Sequence, residues 1–154
     1  MNRKIAGLAL GAVILGGGAA ATAQEQTGGS TVATAQREIL LQAQESWNGK
    51  RYTQYPAGQP ELTMIKITLA AHTVLPWHTH PFPNAGYVLS GTLTIHDRAS
   101  GKTHTFHQGE AFAESVDDEH RGESGDVPTV LLITYAGSPG VPTSIPAKGQ
   151  KPEY

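Results

Sequence analysis

The chain has 154 residues, with 11 basic and 13 acidic side chains, a formal net charge of -2 and 38% hydrophobic residues. That balance describes one globular domain rather than a disordered chain, and the lack of a basic excess argues against nucleic acid and anionic membrane surfaces as partners. Zero cysteines exclude disulfides, thiolate nucleophiles, zinc ribbons and iron-sulfur clusters, leaving seven histidines as the available soft-ligand chemistry.

In chain order, Arg3 and Lys4 precede the apolar run Ile5 to Leu15, which is followed by three glycines and the small residues Ala21-Thr22-Ala23. This pattern predicts a signal peptide over residues 1–23, cleaved after Ala23, and a periplasmic or secreted product. The run is shorter than the roughly 20 residues of a stable membrane span, and with no cysteine for a lipid anchor the cleaved chain is expected to keep no stable membrane attachment. Cleavage removes two bases and no acids, so the mature charge is 9 minus 13, or -4. Residues 24–33 (QEQTGGSTVA) read as a flexible linker, and the domain is expected over 34–137.

Ile39, Leu40, Leu41 and Ala43 lie in a Gln-, Glu- and Ala-rich stretch between Thr34, a candidate cap, and Asn48-Gly49, a stop signal. One short N-terminal helix is predicted there, Ala35 to Ser46. After Gly58-Gln59-Pro60 the pattern changes to period two with β-branched residues, which predicts strands at Leu62 to Leu69, Ala85 to Ser90, Thr92 to Asp97, Lys102 to His107, Glu110 to Ser115 and Thr129 to Tyr135. Turns at Ser90-Gly91, Ser100-Gly101, Gln108-Gly109 and Gly125 to Pro128 separate the later strands. Short strands at this spacing predict an all-β sandwich or barrel. Residues 138–154 are too rich in Pro and Gly for a central strand and are expected to run extended across the outside.

His78 and His80 stand in Trp77-His78-Thr79-His80, and His120 follows forty residues later. Residues i and i+2 of a strand share a face, so His78 and His80 can aim at one point and supply two imidazoles to a divalent metal, with a third from another strand. The competing account is two ordinary histidines before a proline turn, which Pro81 and Pro83 stiffen. Glu114 follows Phe112 by two residues, so it either points inward with Phe112 or stands as a solvated strand residue. Trp77, Phe82, Tyr87 and Phe112 are candidates for lining a small-molecule pocket or for core packing. His72, His96, His104 and His107 read as surface residues, and Asp117-Asp118-Glu119 as a solvated acidic turn.

These histidines carry a resemblance to the cupin superfamily. Its first motif, G(X)5HXH(X)3-4E(X)6G, is met at His78, His80 and Gly91, while His72 and Asn84 stand at its leading glycine and its glutamate. Its second motif, G(X)5PXG(X)2H(X)3N, is met at Gly109 and His120, with Ser115, Asp117 and Ser124 at its other fixed positions. The resemblance covers roughly Pro60 to Gly137. It implies a double-stranded β-helix, a jelly-roll barrel, holding one divalent transition metal (Fe, Mn, Ni, Cu, Co or Zn) through His78, His80 and His120. Glu114 is a candidate fourth ligand, and Asn84 a weak ligand or a hydrogen-bonding partner of metal-bound water. Two functions follow: a metal-dependent oxygenase or isomerase acting on a small molecule, or a non-catalytic module binding a metal or small ligand. A homodimer is compatible with either.

Overall fold

The computed structural model describes residues 35–154; the leader and linker expected over 1–33 lie outside the described residues. The unit Arg37–Tyr154 is all-β. Its strands are β1 (Glu61–Leu69), β2 (His78–Thr79), β3 (Asn84–Ser90), β4 (Thr92–Asp97), β5 (Thr103–His107), β6 (Ala111–Ala113), β7 (His120–Ser124), β8 (Thr129–Gly137) and β9 (Ile145–Pro146).

They form two antiparallel sheets, one ordered β1-β8-β3-β6 and the other β5-β4-β7-β2-β9. Alternation decides which residues meet between them. β8 buries Leu131, Ile133 and Tyr135, β3 buries Val88, and β4 buries Leu93 and Ile95. Together with Leu69, Leu75, Phe106 and Phe112 these make one core cluster, against which Trp47, Ile65 and Ile67 pack. Gly91, between β3 and β4, has a φ of 78°, and a Cβ there would lie 2.7 Å from the Pro128 carbonyl oxygen. The turn therefore needs glycine both for its left-handed backbone and for the close approach of the neighbouring chain.

The N-terminal helix expected at Ala35 to Ser46 does not form; among the described residues there is no helix. The physical reason lies in the spacing of the apolar residues. Ile39, Leu40 and Leu41 are consecutive, so on a helix they would spread around the cylinder instead of making a stripe at i, i+3 and i+4. The segment instead bends back through a Glu45↔Arg51 bridge, with the Trp47 N–H bonded to the Ala113 carbonyl at 2.9 Å. Ile39 and Leu40 stay more than half exposed. Three short strands escaped the periodicity altogether. β2 and β9 have two residues each, and β7, His-Arg-Gly-Glu-Ser, carries no large apolar side chain on its buried face.

Candidate metal centre

The site is built where β2 meets β7. Their register sets His78 directly opposite His120, and opposite residues of an antiparallel pair present side chains to the same face. His80, two residues beyond His78, shares that face and is fixed by a bridge to Val116. All three imidazoles are essentially fully buried. Their ring centroids lie 4.6–5.0 Å apart, and one ring nitrogen from each falls within 4.8 Å of the others.

The backbone sets their chemistry. His78 Nδ1 lies 2.9 Å from the Pro76 carbonyl oxygen, His80 Nδ1 2.7 Å from that of Thr143, and His120 Nδ1 2.8 Å from that of Asp118. A carbonyl only accepts, so each Nδ1 carries the proton and donates it. In the neutral ring each Nε2 is then a lone-pair donor turned inward, the arrangement found when carbonyls orient metal-ligating histidines.

Glu114 resolves its two readings in favour of the interior. Its side chain is buried, with Oε2 3.0 Å from His80 Nε2 and Oε1 3.6 Å from His120 Nε2. Neither Glu114 Oε2 nor His120 Nε2 has a hydrogen-bond partner. With every Nε2 unprotonated, acceptor faces acceptor in a buried space, a contact that either a proton on His80 or a metal ion relieves. Burial alone would raise the Glu114 carboxyl, but His80 and His120 beside it hold it well below the usual range. Burial works to lower His80, yet Glu114 outweighs it and the ring is raised; His78 is lowered to about 4 by burial and by its two histidine neighbours.

Asn84 lies at the start of β3, one residue beyond the Ala85↔Ala113 pair and opposite Tyr135 of β8. It is buried, and both of its amide atoms lack partners. The four aromatic candidates have different surroundings. Phe112 is in the core against Phe106, with centroids 5.0 Å apart, and Phe82 packs where Gly137 leaves room. The guanidinium groups of Arg98 and Arg121 lie 5.5 and 4.7 Å from the Trp77 ring centroid, and Tyr87 is half-buried beside Leu132 and Ala111. A cavity of about 830 Å³ is lined by Leu41, Tyr52, Leu62, Asn84, Thr134 and Ala136 among others. The acidic turn is paired rather than free: Asp118 meets Lys50, and Glu119 Oε2 lies 2.6 Å from Arg98. His104 and His107 are exposed, His72 is exposed near Asp126, and His96 meets Glu123 at 3.1 Å.

Two residues of the site had no reading from sequence. Tyr135 is fully buried with its ring 5.4 Å from His80, and burial and Glu114 raise its hydroxyl. The alternation Leu131, Ile133, Tyr135 could have placed it inward. Glu153 lies in the segment expected to run outside, yet its side chain is 5% exposed and its Oε2 is 3.3 Å from His78 Nε2. Burial first, and Glu114 second, raise its carboxyl. No periodicity marks it.

Comparison with known proteins agrees with this architecture. Residues 65–135 match the family model Cupin_2, described as a cupin domain. Together with the two antiparallel sheets, this supports placement in the cupin superfamily and a cupin β-barrel. No curated protein matches the chain in sequence. Among solved structures, one of the DMSP lyases RdDddP and RnDddQII superposes with a TM-score of 0.50 at 16% identity, covering 56% of this chain and 44% of that one. The DMSP lyase DddQ of Ruegeria pomeroyi DSS-3 gives 0.48 at 17% identity, covering 53% and 41%. The polyketide cyclase RemF of Streptomyces resistomycificus gives 0.48 at 18%, covering 56% and 60%. The match spans less than half the length of the lyase chains.

Proposed function

We propose that this chain is an exported cupin whose His78, His80, His120 and Glu114 hold one divalent transition metal for chemistry on a small oxygen-bearing ligand. One observation carries the reading: three buried imidazoles, each with its Nδ1 bonded to a backbone carbonyl, turn their Nε2 atoms toward one another, and a buried carboxylate, Glu114, stands beside two of them. The spacing suits the donor set as well. Ligands at about 2.1 Å from one ion stand roughly 3.0–3.4 Å apart at octahedral or tetrahedral angles; Glu114 Oε2 lies in that range from His80 Nε2, at 3.0 Å, and Oε1 just beyond it from His120 Nε2, at 3.6 Å. Such an ion supplies Lewis acidity toward a coordinated oxygen. The chain's own residues orient it through the Nδ1–H bonds, exclude water by burying all four ligands, and place the Tyr135 ring beside His80. One carboxylate offsets half of a divalent charge in this interior, the work the family assigns to a glutamate at the position of Asn84.

The test is elemental analysis of the protein purified after export in its native host, alongside Glu114→Gln. One equivalent of a transition metal in the parent, and at least about tenfold weaker binding in the variant, is the expected result. A parent without metal, and unable to take it up, overturns the reading. Mass determination on the same sample should give a chain beginning at Gln24; a chain retaining Met1 overturns the assignment of the leader.

A further inference from the structure

The C-terminal segment reaches the metal centre from the side opposite β7. β9 pairs with β2, matching Pro146 to His78 and Ile145 to Thr79, and the Ala147 N–H bonds to the Trp77 carbonyl at 2.9 Å. Thr143 supplies the carbonyl that takes the His80 Nδ1 proton. The chain then returns so that Glu153 enters the site, where Ser144 Oγ donates to its Oε2 at 2.8 Å. Next to it, the Tyr154 hydroxyl lies 2.9 Å from Thr143 Oγ1 and 3.4 Å from the Tyr135 hydroxyl. Lys148 and Lys151 of the same segment are exposed, which sets the burial of Glu153 apart from its surroundings.

The position of that glutamate explains its burial. Its Oε2 lies 3.3 Å from His78 Nε2, while Glu114 reaches His80 and His120. The His78 proton is on Nδ1, facing Pro76, so here again a carboxylate oxygen meets a lone pair, at the separation of two ligands on one ion. We propose that Glu153 is a ligand of the metal centre delivered by the C-terminal strap. It occupies the coordination position that a small carboxylate ligand takes when the strap withdraws. Three neutral imidazoles and two carboxylates then balance a divalent ion completely, and a carboxylate-bearing ligand can replace Glu153 with no change in the buried charge.

This inference rests on the proposed metal site, and the experiment separates the two. Full-length parent, Glu153→Gln and Ser144→Ala are loaded with cobalt(II), whose visible spectrum reports its ligands. Affinity is measured by competition with a chromophoric chelator, and acetate is then titrated in. The proposal expects Glu153→Gln to lose at least about tenfold in cobalt affinity with an altered spectrum, and Ser144→Ala to lose less. Acetate should perturb the spectrum of Glu153→Gln while leaving the parent unchanged. Parent-like affinity, spectrum and acetate response in Glu153→Gln would overturn it while leaving the metal site standing. Should that variant melt far below the parent without metal, Ser144→Ala decides: parent-like cobalt binding and parent-like insensitivity to acetate overturn the proposal. A parent that takes up no cobalt removes both readings together.

Discussion

Phe112 and Gly86 offer the sharpest test of how the core supports the site. They are directly opposed across β3 and β6, and a Cβ on Gly86 would fall 2.1, 2.4 and 2.7 Å from three carbons of the Phe112 ring. Carbon atoms rest about 3.5–4.0 Å apart, so the ring would have to move by more than about 1 Å. It is 1% exposed and packed on Phe106, so moving it disturbs the core around it. Overpacking of this kind costs roughly 1–3 kcal/mol, and the contact distances put Gly86→Ala near the top of that range. The backbone advantage of alanine over glycine in a strand, about 0.5–1 kcal/mol, offsets a minor part. Because Glu114 follows Phe112 by two residues, displacing the ring should also weaken metal binding. Urea unfolding of the metal-free protein with an unchanged m-value is the assay, and Phe112→Leu supplies the second arm. With the ring gone, Gly86→Ala should cost about 1–2 kcal/mol less than in the parent, a coupling typical of residues in contact. Equal stability of Gly86→Ala and the parent, or strict additivity in the double variant, would refute this account of the packing.

Three further outcomes are expected. His120→Ala should lower divalent-metal affinity by at least about tenfold, whereas His104→Ala and His107→Ala, both on an exposed strand, should bind as the parent does in the same titration. Asn84→Glu places a second carboxylate beside Glu114, so the metal-free protein should melt below the parent while saturating metal raises the variant's melting temperature more than the parent's. Asp97 is buried and accepts from Ser100 N, Ser100 Oγ and Asn48 Nδ2 at 2.6–2.7 Å; burial would raise its carboxyl, but these donors together hold it below the ordinary value. A depressed folded pKa stabilises above the unfolded value, about 3.9, and that stability is lost as pH falls through the folded pKa. Asp97→Asn should therefore be less stable than the parent at pH 7, with the gap narrowing below about pH 5 in denaturant titrations; a gap independent of pH contradicts the linkage.

Strands with strong alternation were legible in the sequence because their burial is the alternation: Thr92 to Asp97 is β4 residue for residue, and Ala85 to Ser90 and Thr129 to Tyr135 each fall short of their strand by two residues or fewer. The pair His78 and His80 was legible for the same reason, since period two puts both on one face. What sequence could not show is cross-strand register. His120 stands opposite His78 only because β7, a strand of charged and small residues, pairs with β2. The N-terminal helix failed because composition favoured it while spacing did not. Glu153 was invisible because a Pro- and Gly-rich tail carries no period, and its burial follows from β9, which begins 25 residues after the start of β7, pairing with β2.

The sheet places a buried carboxylate close to the position where the motif has its glutamate. The glutamate position of the first motif holds Asn84 at the start of β3, and the neighbouring strand β6 runs antiparallel to it through Ala85↔Ala113. Glu114 directly follows β6, so a buried carboxylate stands on the chain next to β3, where neighbouring strands lie about 4.8 Å apart. A carboxylate at both places would set two like charges side by side in the interior, and one would have to hold a proton. An amide at 84 removes that repulsion while keeping a polar side chain in the row that runs from Tyr135 through Asn84 toward Glu114. The departure from the motif and the buried position of Glu114 are then two parts of one arrangement. On the proposed metal site, Glu114 would supply from beside β6 the charge that a glutamate at position 84 would otherwise bring.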